Sequence, residues 1–300
     1  PIKSNKRREI FIKNLKKYFN DQFLKKYLYI IEDADFCDLE NIYKIRDFLV
    51  QKEILLDIVI LNAGMQYTGA LYPKVSKQGI EMTFAVNHLA HFLLIQNLLS
   101  LIHDQVESRI IITSSDVHDP KSSGGKIGEK AGLNDLKDYQ DIVYGSFIKF
   151  SADKSYKDSK LCNILFAKEL SKKLCHKNSK ISVITWAPGL VIPENDYGFF
   201  RYSRKFNNLG YVLFSNMAKN ILGITETPMA AGNILYKIAM AKDFNNMNYL
   251  HLSNQLISYK KHKLKKIAVS KEADSDELAK KLWVFSSELC RELGFSSLYI

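Results

Sequence analysis

The chain has 300 residues, 46% of them hydrophobic and 25% charged, which suits one substantial packed core and excludes an intrinsically disordered chain. Its net charge of +11 is spread along the sequence and gathers only at Lys3 to Lys17 and Lys260 to Lys266, so a solvated basic surface explains it better than a nucleic-acid interface. Four cysteines (Cys37, Cys162, Cys175, Cys290) have neither metal-site nor disulfide spacing, no run approaches the ~18 apolar residues of a membrane span, and no secretory signal is visible; a reducing cytoplasm is the expected setting.

In chain order, Pro1-Ile2-Lys3 reads as the end of a strand, and Ser4-Asn5-Lys6-Arg7-Arg8-Glu9 as a basic loop entering a helix over Arg8 to Phe19. A strand is predicted over Tyr27 to Ala34, closed by Asp35-Phe36. The short apolar strand Asp57 to Leu61 ends in Asn62-Ala63-Gly64, a turn of small residues where backbone can approach a ligand closely. Phe84 to Leu94 has helical periodicity with Asn87 set in an apolar face. Arg109 to Thr113 predicts a second buried strand that delivers Ser114 and Ser115 at its carboxyl end, where open α/β sheets bind ligands.

Beyond it, Tyr156-Lys157-Asp158-Ser159-Lys160 sets a phenol and an ammonium four residues apart on a helix, one turn apart on the same face. A free tyrosine titrates near ~10 and a neighbouring cation favours the phenolate, so Lys160 is expected to bring Tyr156 towards acid and base strength useful at neutral pH. A strand over Ile181 to Trp186 is followed by Pro188-Gly189. Tyr197 to Gly223 carries Phe199, Phe200, Tyr202, Phe206, Tyr211 and Phe214, which suit a large flat or apolar substrate and equally a helix packed on the core. Thr225 to Pro228 reads as the cap and first turn of a helix over Ala230 to Ala239. His88, His91 and His118 have no metal-ligand partner at useful spacing.

These residues, in this order, resemble the short-chain dehydrogenase/reductase superfamily over nearly the whole chain. The resemblance implies an α/β fold, a doubly wound parallel sheet of Rossmann type, in a single domain 1–300 with a cofactor-binding and catalytic core 1–192 and a substrate lid and carboxyl-terminal region 193–300. By the same resemblance Asn87, Ser115, Tyr156 and Lys160 match the catalytic tetrad. Tyr156 would be the general acid, Lys160 would lower its pKa and bind the nicotinamide ribose, Ser115 would orient the substrate, and Asn87 would hold a proton-relay water. Asn62, Ala63 and Gly64 match the Asn-Ala-Gly turn, Asp35 and Phe36 the residues that meet adenine, and Pro188-Gly189 the turn beside the nicotinamide. Folds of this kind carry an earlier strand, a glycine-rich turn and a helix that receives the pyrophosphate. No glycine precedes Gly64, so a first βα unit of roughly 30 residues is expected to be lacking. Arg7 and Arg8, with Lys6, stand where cations favour the 2′-phosphate of NADPH over NAD.

Within the superfamily, the interval Asp116 to Ser155, with Gly124-Gly125 and Leu133-Asn134-Asp135-Leu136, is long, and resembles the insertion of light-dependent protochlorophyllide reductases and, in shorter form, of retinol dehydrogenases. Ser155 to Asn163 is similar to a string of the former family, and Lys281-Leu282-Trp283 with Phe285 to Leu289 to its terminal helix. That likeness implies NADPH as cofactor, a large apolar or tetrapyrrole-like substrate and chlorophyll biosynthesis. It also implies a place peripheral to a photosynthetic membrane, where the Tyr259 to Lys266 cluster would touch the surface. Leu190 stands where those reductases have a cysteine, and Pro193 where the superfamily usually has a threonine. A reductase of an apolar carbonyl, retinal-like, and a non-catalytic nucleotide-binding scaffold are the alternative readings.

Overall fold

The computed structural model describes residues 5–146, 148–193 and 200–295, with the side chains of Asn5, Lys6 and Arg7 not described. The expected strand end at Pro1 to Lys3, and the side chain of Arg7, therefore lie outside the described residues. Helices α1 (Asn5–Leu15), α2 (Asp21–Tyr27) and α3 (Asn41–Gln51) precede strand β1 (Ile58–Leu61). A long apolar helix follows as α4 (Met82–Phe84), a π turn (Ala85–Leu89) and α5 (Ala90–Leu98). Strand β2 (Arg109–Thr113) leads through the insertion, which carries α6 (Tyr139–Val143), to α7 (Ala152–His176) and β3 (Ser182–Ala187). The remainder is β4 (Leu190–Val191), α8 (Arg201–Phe206), α9 (Asn208–Asn216), β5 (Thr225–Glu226), α10 (Pro228–Met240), β6 (Tyr249–Ser258), β7 (Lys261–Lys266) and α11 (Asp276–Glu292).

The main sheet has the order β1-β2-β3-β6-β7, parallel throughout except for the antiparallel edge strand β7. This is an α/β fold with the expected doubly wound sheet, and the pleat divides the core. Ile110, Ile112 and Val183 point to the layer of α3, α5, α7 and α11, whereas Ile111, Ile184 and Trp186 point to α10. Both faces are apolar because both are covered, as parallel sheets require. Thr227 caps α10, its hydroxyl accepting from the Ala230 N–H at 3.1 Å with Pro228 in the first turn.

Three expectations need correction. The apolar run after Tyr27 is not a strand: helix α2 ends at Tyr27, its cap Leu28 is extended, and Leu28 to Ile31 pair in no ladder among the described residues. An extended run becomes a strand only when a neighbour takes its backbone hydrogen bonds. The basic cluster at Lys261 to Lys266 is a strand, with His262 and Leu264 turned inward and lysines outward, as suits an exposed edge. Met82–Leu101 is long and apolar enough by composition to cross a membrane, yet 89% of that window is buried inside the protein, where it serves as a core helix.

Candidate active site

The carboxyl ends of β1, β2 and β3 converge, and α7 lies across them. Asn62, Ala63 and Gly64 leave β1 exposed to solvent. The Asn62 side-chain oxygen accepts from the Thr113 hydroxyl at 2.9 Å, and that hydroxyl in turn accepts from the Trp186 indole N–H at 3.0 Å. The three strand ends are thus tied by side chains as well as by the ladder.

Asn87 is fully buried in the π turn. Such turns insert one residue into a helix and recur at functional sites. Its side-chain oxygen accepts from the Met65 N–H at 2.8 Å, and its amide donates to the Met65 carbonyl at 2.9 Å and to the Ser159 hydroxyl at 3.0 Å. Ser159 then donates to the Tyr156 carbonyl at 2.7 Å. The amide therefore holds the 62–65 turn against α7, and both of its N–H groups are used within the protein. The expected water-holding task finds no free side-chain donor on Asn87.

Ser115 is extended (φ −160, ψ 150) and caps a single 3-10 turn, Asp116 to His118. Its hydroxyl stands beside the Tyr156 phenol and favours its ionised form. Lys160 is buried, donates to the Thr113 carbonyl at 3.1 Å, and lies 5.6 Å from the centroid of the Tyr156 ring. A Cβ placed on Gly64 would stand 3.5 Å from the Lys160 ammonium and 3.6 Å from the Asn87 oxygen. The structure thus brings together Gly64, Asn87, Ser115, Tyr156 and Lys160, four of them from segments more than twenty residues apart.

The electrostatics differ from the simplest expectation. Burial pushes the Tyr156 phenol above its ordinary range; the Ser115 hydroxyl opposes this, and Asp153 adds to it. Lys160 faces the ring, and burial lowers its own pKa to about 8. At neutral pH the pair is a protonated phenol beside an ammonium, the state from which a proton can be given.

The other expected positions divide. Gly189 has φ +82, a conformation that favours glycine, and its turn is held by the Asn254 amide donating to the Pro188 carbonyl at 3.3 Å. Asp35 accepts from the Cys37 N–H at 3.2 Å within its own turn. Phe36 is buried in the core and forms a T-shaped pair with His91, centroids 5.9 Å apart. Arg8 forms a half-exposed ion pair with Glu32 at 2.8 Å. Pro193 accepts from Arg204 at 3.0 Å, tying the chain after β4 to α8.

Sequence reasoning missed the residues that hold the insertion. Lys157, buried, pairs with Asp153 at 2.7 Å and donates to the carbonyls of Ile127 and Glu129. Asp158 accepts from the Gly132 N–H at 2.9 Å and pairs with Lys154, which donates to the Gly132 carbonyl at 2.8 Å. Burial raises the Asp158 carboxyl to about 6 against the pull of Lys154. The interior of the Tyr-Lys-Asp-Ser-Lys string thus anchors the insertion, while its ends, Tyr156 and Lys160, meet Ser115 and Thr113. The available signal was helical spacing: residues 154, 157 and 158 share a face that Tyr156 does not.

A nicotinamide cofactor fits this wall. The Lys160 ammonium has three N–H groups, one given to Thr113, so two can meet a ribose diol. Gly64, exposed beside that ammonium and without a side chain of its own, leaves the approach to Lys160 open. No cluster of metal-ligating side chains occurs among the described residues.

A profile of the short chain dehydrogenase family matches residues 6–126. Protochlorophyllide reductase B of Oryza sativa is 28% identical over 286 residues, covering 89% of this chain and 65% of its own, and protochlorophyllide reductase of Pisum sativum is 28% identical, covering 89% and 66%. The chain thus spans just under two thirds of the length of these relatives. Among solved structures, an uncharacterised protein from Mycobacterium paratuberculosis aligns with a TM-score of 0.58 at 23% identity, covering 87% of this chain and 75% of that one. L-sorbose reductase of Gluconobacter frateurii, solved with NADPH and L-sorbose, aligns with a TM-score of 0.51 at 14% identity over 77% of each chain. These likenesses bear on the fold.

Proposed function

We propose that this chain, whose residues 6–126 match the short chain dehydrogenase family, is an NAD(P)-dependent oxidoreductase of that family, and that its reaction is an NADPH-dependent reduction of the protochlorophyllide reductase type. The observation that carries the reading is the convergence of Tyr156, beside the Ser115 hydroxyl, with the Lys160 ammonium beside Gly64. A bound NADPH supplies the hydride. Tyr156 gives its proton to the neighbouring atom of the reduced double bond, and Lys160, cationic below about pH 8, stabilises the phenolate that remains. Ser115 aligns the phenol with the substrate. The 62–65 turn, pinned by Asn87, and the Pro188-Gly189 turn flank the space for the nicotinamide.

The tetrapyrrole-like substrate rests on the likeness to the plant reductases over most of this chain, and on the anchored insertion that follows Ser115. The second reading, a reductase of an apolar aldehyde or ketone, is favoured by the Ser115–Tyr156 pair, which can polarise a carbonyl oxygen from two donors, and by Leu190 in place of a cysteine. Light separates the two. The protein is incubated with NADPH and protochlorophyllide in darkness and after flashes, beside a panel of apolar aldehydes. Pigment product only after flashes is expected; dark oxidation of NADPH by an aldehyde, with no flash-dependent pigment product, would transfer the assignment to carbonyl reduction.

A further inference from the structure

Ser115 is the reacting-site residue with the least secondary structure around it. It follows β2, caps a 3-10 turn of three residues, and precedes the insertion. Its hydroxyl accepts from the Val117 N–H at only 3.5 Å, at the outer limit of a hydrogen bond. The preceding Ser114 is tied to β3 by its N–H donating to the Trp186 carbonyl at 2.8 Å, and the Ser115 carbonyl accepts from the His118 N–H at 3.2 Å; beyond these, the hold on Ser115 comes from side chains.

His118 is buried directly behind it. The Ser270 N–H, from the segment before α11, donates to His118 Nε2 at 3.3 Å, and His118 Nδ1 lies 2.7 Å from the Ser115 carbonyl. A carbonyl can only accept, and Nε2 is accepting from a backbone N–H. The ring is therefore the neutral tautomer with its proton on Nδ1, donating to Ser115. The groups around it are consistent with a fixed neutral ring. His251 stands edge-on with centroids 5.4 Å apart and bonds Thr185 at 2.8 Å. The Asp116 carboxylate accepts instead from Ser253 at 2.8 Å and Gln255 at 3.3 Å, and Asp119 is the other nearby acid. Burial disfavours the imidazolium despite these acids.

We propose that His118 is a positioning residue: by clamping the Ser115 carbonyl to the Ser270 backbone it sets the angle at which the Ser115 hydroxyl meets Tyr156, and so couples the phenol to the carboxyl-terminal segment. The proposal rests on the reading of Ser115 and Tyr156 as a reacting pair, and its principal test needs no turnover. Tyrosine labelled with carbon-13 at Cζ is incorporated, and the Tyr156 resonance is assigned by its loss in Tyr156→Phe. Its shift and titration are then followed in the protein without cofactor. Ser115→Ala defines the uncoupled position of that resonance. His118→Asn keeps an amide N–H near the place of Nδ1–H and should leave the resonance at its wild-type position. His118→Gln, whose amide reaches the Nε2 position instead, and His118→Phe should move it towards the Ser115→Ala value.

If His118→Phe does not fold, the Asn and Gln pair decides. With NADPH and whichever substrate turns over, His118→Gln should lower kcat about 10- to 100-fold, the effect of a misplaced reacting group, with KM for NADPH unchanged. A Tyr156 resonance indifferent to His118→Gln while Ser115→Ala moves it overturns the proposal, as does an Asn variant that behaves like the Gln variant. Coupling seen by resonance in a protein that reduces nothing would instead count against the proposed function and leave the positioning intact.

Discussion

At β2 and β3 both faces of the sheet are covered, and at β1 only one is. Ile111 and Ile184 are fully buried beneath α10, whereas Ile60, in register with Ile111 on the same face, is 41% exposed. In the segment that precedes β1, further large apolar side chains stand in solvent, among them Phe23, Tyr27 and Tyr29. The groups assigned to chemistry project from the covered end, where Thr113, Trp186, Ser114 and Lys160 are cross-bonded within the interior. Of the groups assigned to the adenosine half, Arg8 is half exposed and meets Glu32 in water. The difference separates two tasks. Reactivity depends on geometry held to fractions of an ångström and suits packed structure, while the cofactor preference proposed for Arg8 would rest on an exposed charge that packing does not hold.

The comparison is broken most severely at Tyr156. Tyr156→Phe keeps the ring and removes the proton, so turnover should fall by ~10² to 10⁴ while cofactor affinity, measured by fluorescence titration, changes little. A variant within about twofold of wild type would take the phenol out of the mechanism. Next is Asn87→Ala, which leaves the Met65 N–H and carbonyl and the Ser159 hydroxyl without their partner in a buried site. A loss of about 2–3 kcal/mol in denaturant unfolding is expected, together with weaker cofactor binding as the 62–65 turn loosens. Unchanged stability would show that the turn holds itself.

Lys160 tests whether the packed end carries a stability cost for its function. Its folded pKa, about 8, lies below the ordinary 10.5, so between those values the unfolded chain holds more protons and stability rises with pH. Below pH 8 both states are protonated and the buried charge is opposed by up to about 3 kcal/mol. Lys160→Met should therefore unfold at higher denaturant concentration than wild type at pH 7, by a margin that shrinks as pH rises through 8 to 10.5, while losing cofactor affinity. Equal stability across that range would mean that the ammonium is well solvated.

The covered end was also the legible one. Arg109 to Thr113 reads as a buried strand because four of its five residues are buried and no turn residue interrupts it, and the Tyr156–Lys160 spacing fixes a shared helical face whatever surrounds it. Leu28 to Ile31 carries a similar apolar run, but a strand is a property of a pair, and a run of sequence does not contain its partner. Phe36 was placed at a ligand by its position in the chain, while its burial against His91 follows from packing across more than fifty residues. Distance in sequence also hid His118, whose second partner, Ser270, comes from the segment before α11. Lys261 to Lys266 was read as a charge cluster because only His262 and Leu264 mark its inward face.

The smallest effect is expected at Arg8, and it sharpens the comparison because stability and selectivity should part company there. The Arg8–Glu32 pair is about half exposed on both sides, and such pairs contribute roughly 0–1 kcal/mol, so Arg8→Ala should shift unfolding by no more than about 0.5 kcal/mol. If Arg8 meets the 2′-phosphate of NADPH, its removal should raise KM for NADPH several-fold and leave KM for NADH unchanged. Glu32 acts in the opposite sense, since it occupies the guanidinium and would repel the phosphate. Glu32→Gln should then lower KM for NADPH in the presence of Arg8 and do so much less in the Arg8→Ala background, a coupling that a double-mutant cycle reads directly. Identical effects of Glu32→Gln in both backgrounds would mean that the carboxylate acts on the cofactor alone. An Arg8→Ala protein with unaltered NADPH kinetics would show that this basic turn is surface and that the cofactor's phosphate is met elsewhere.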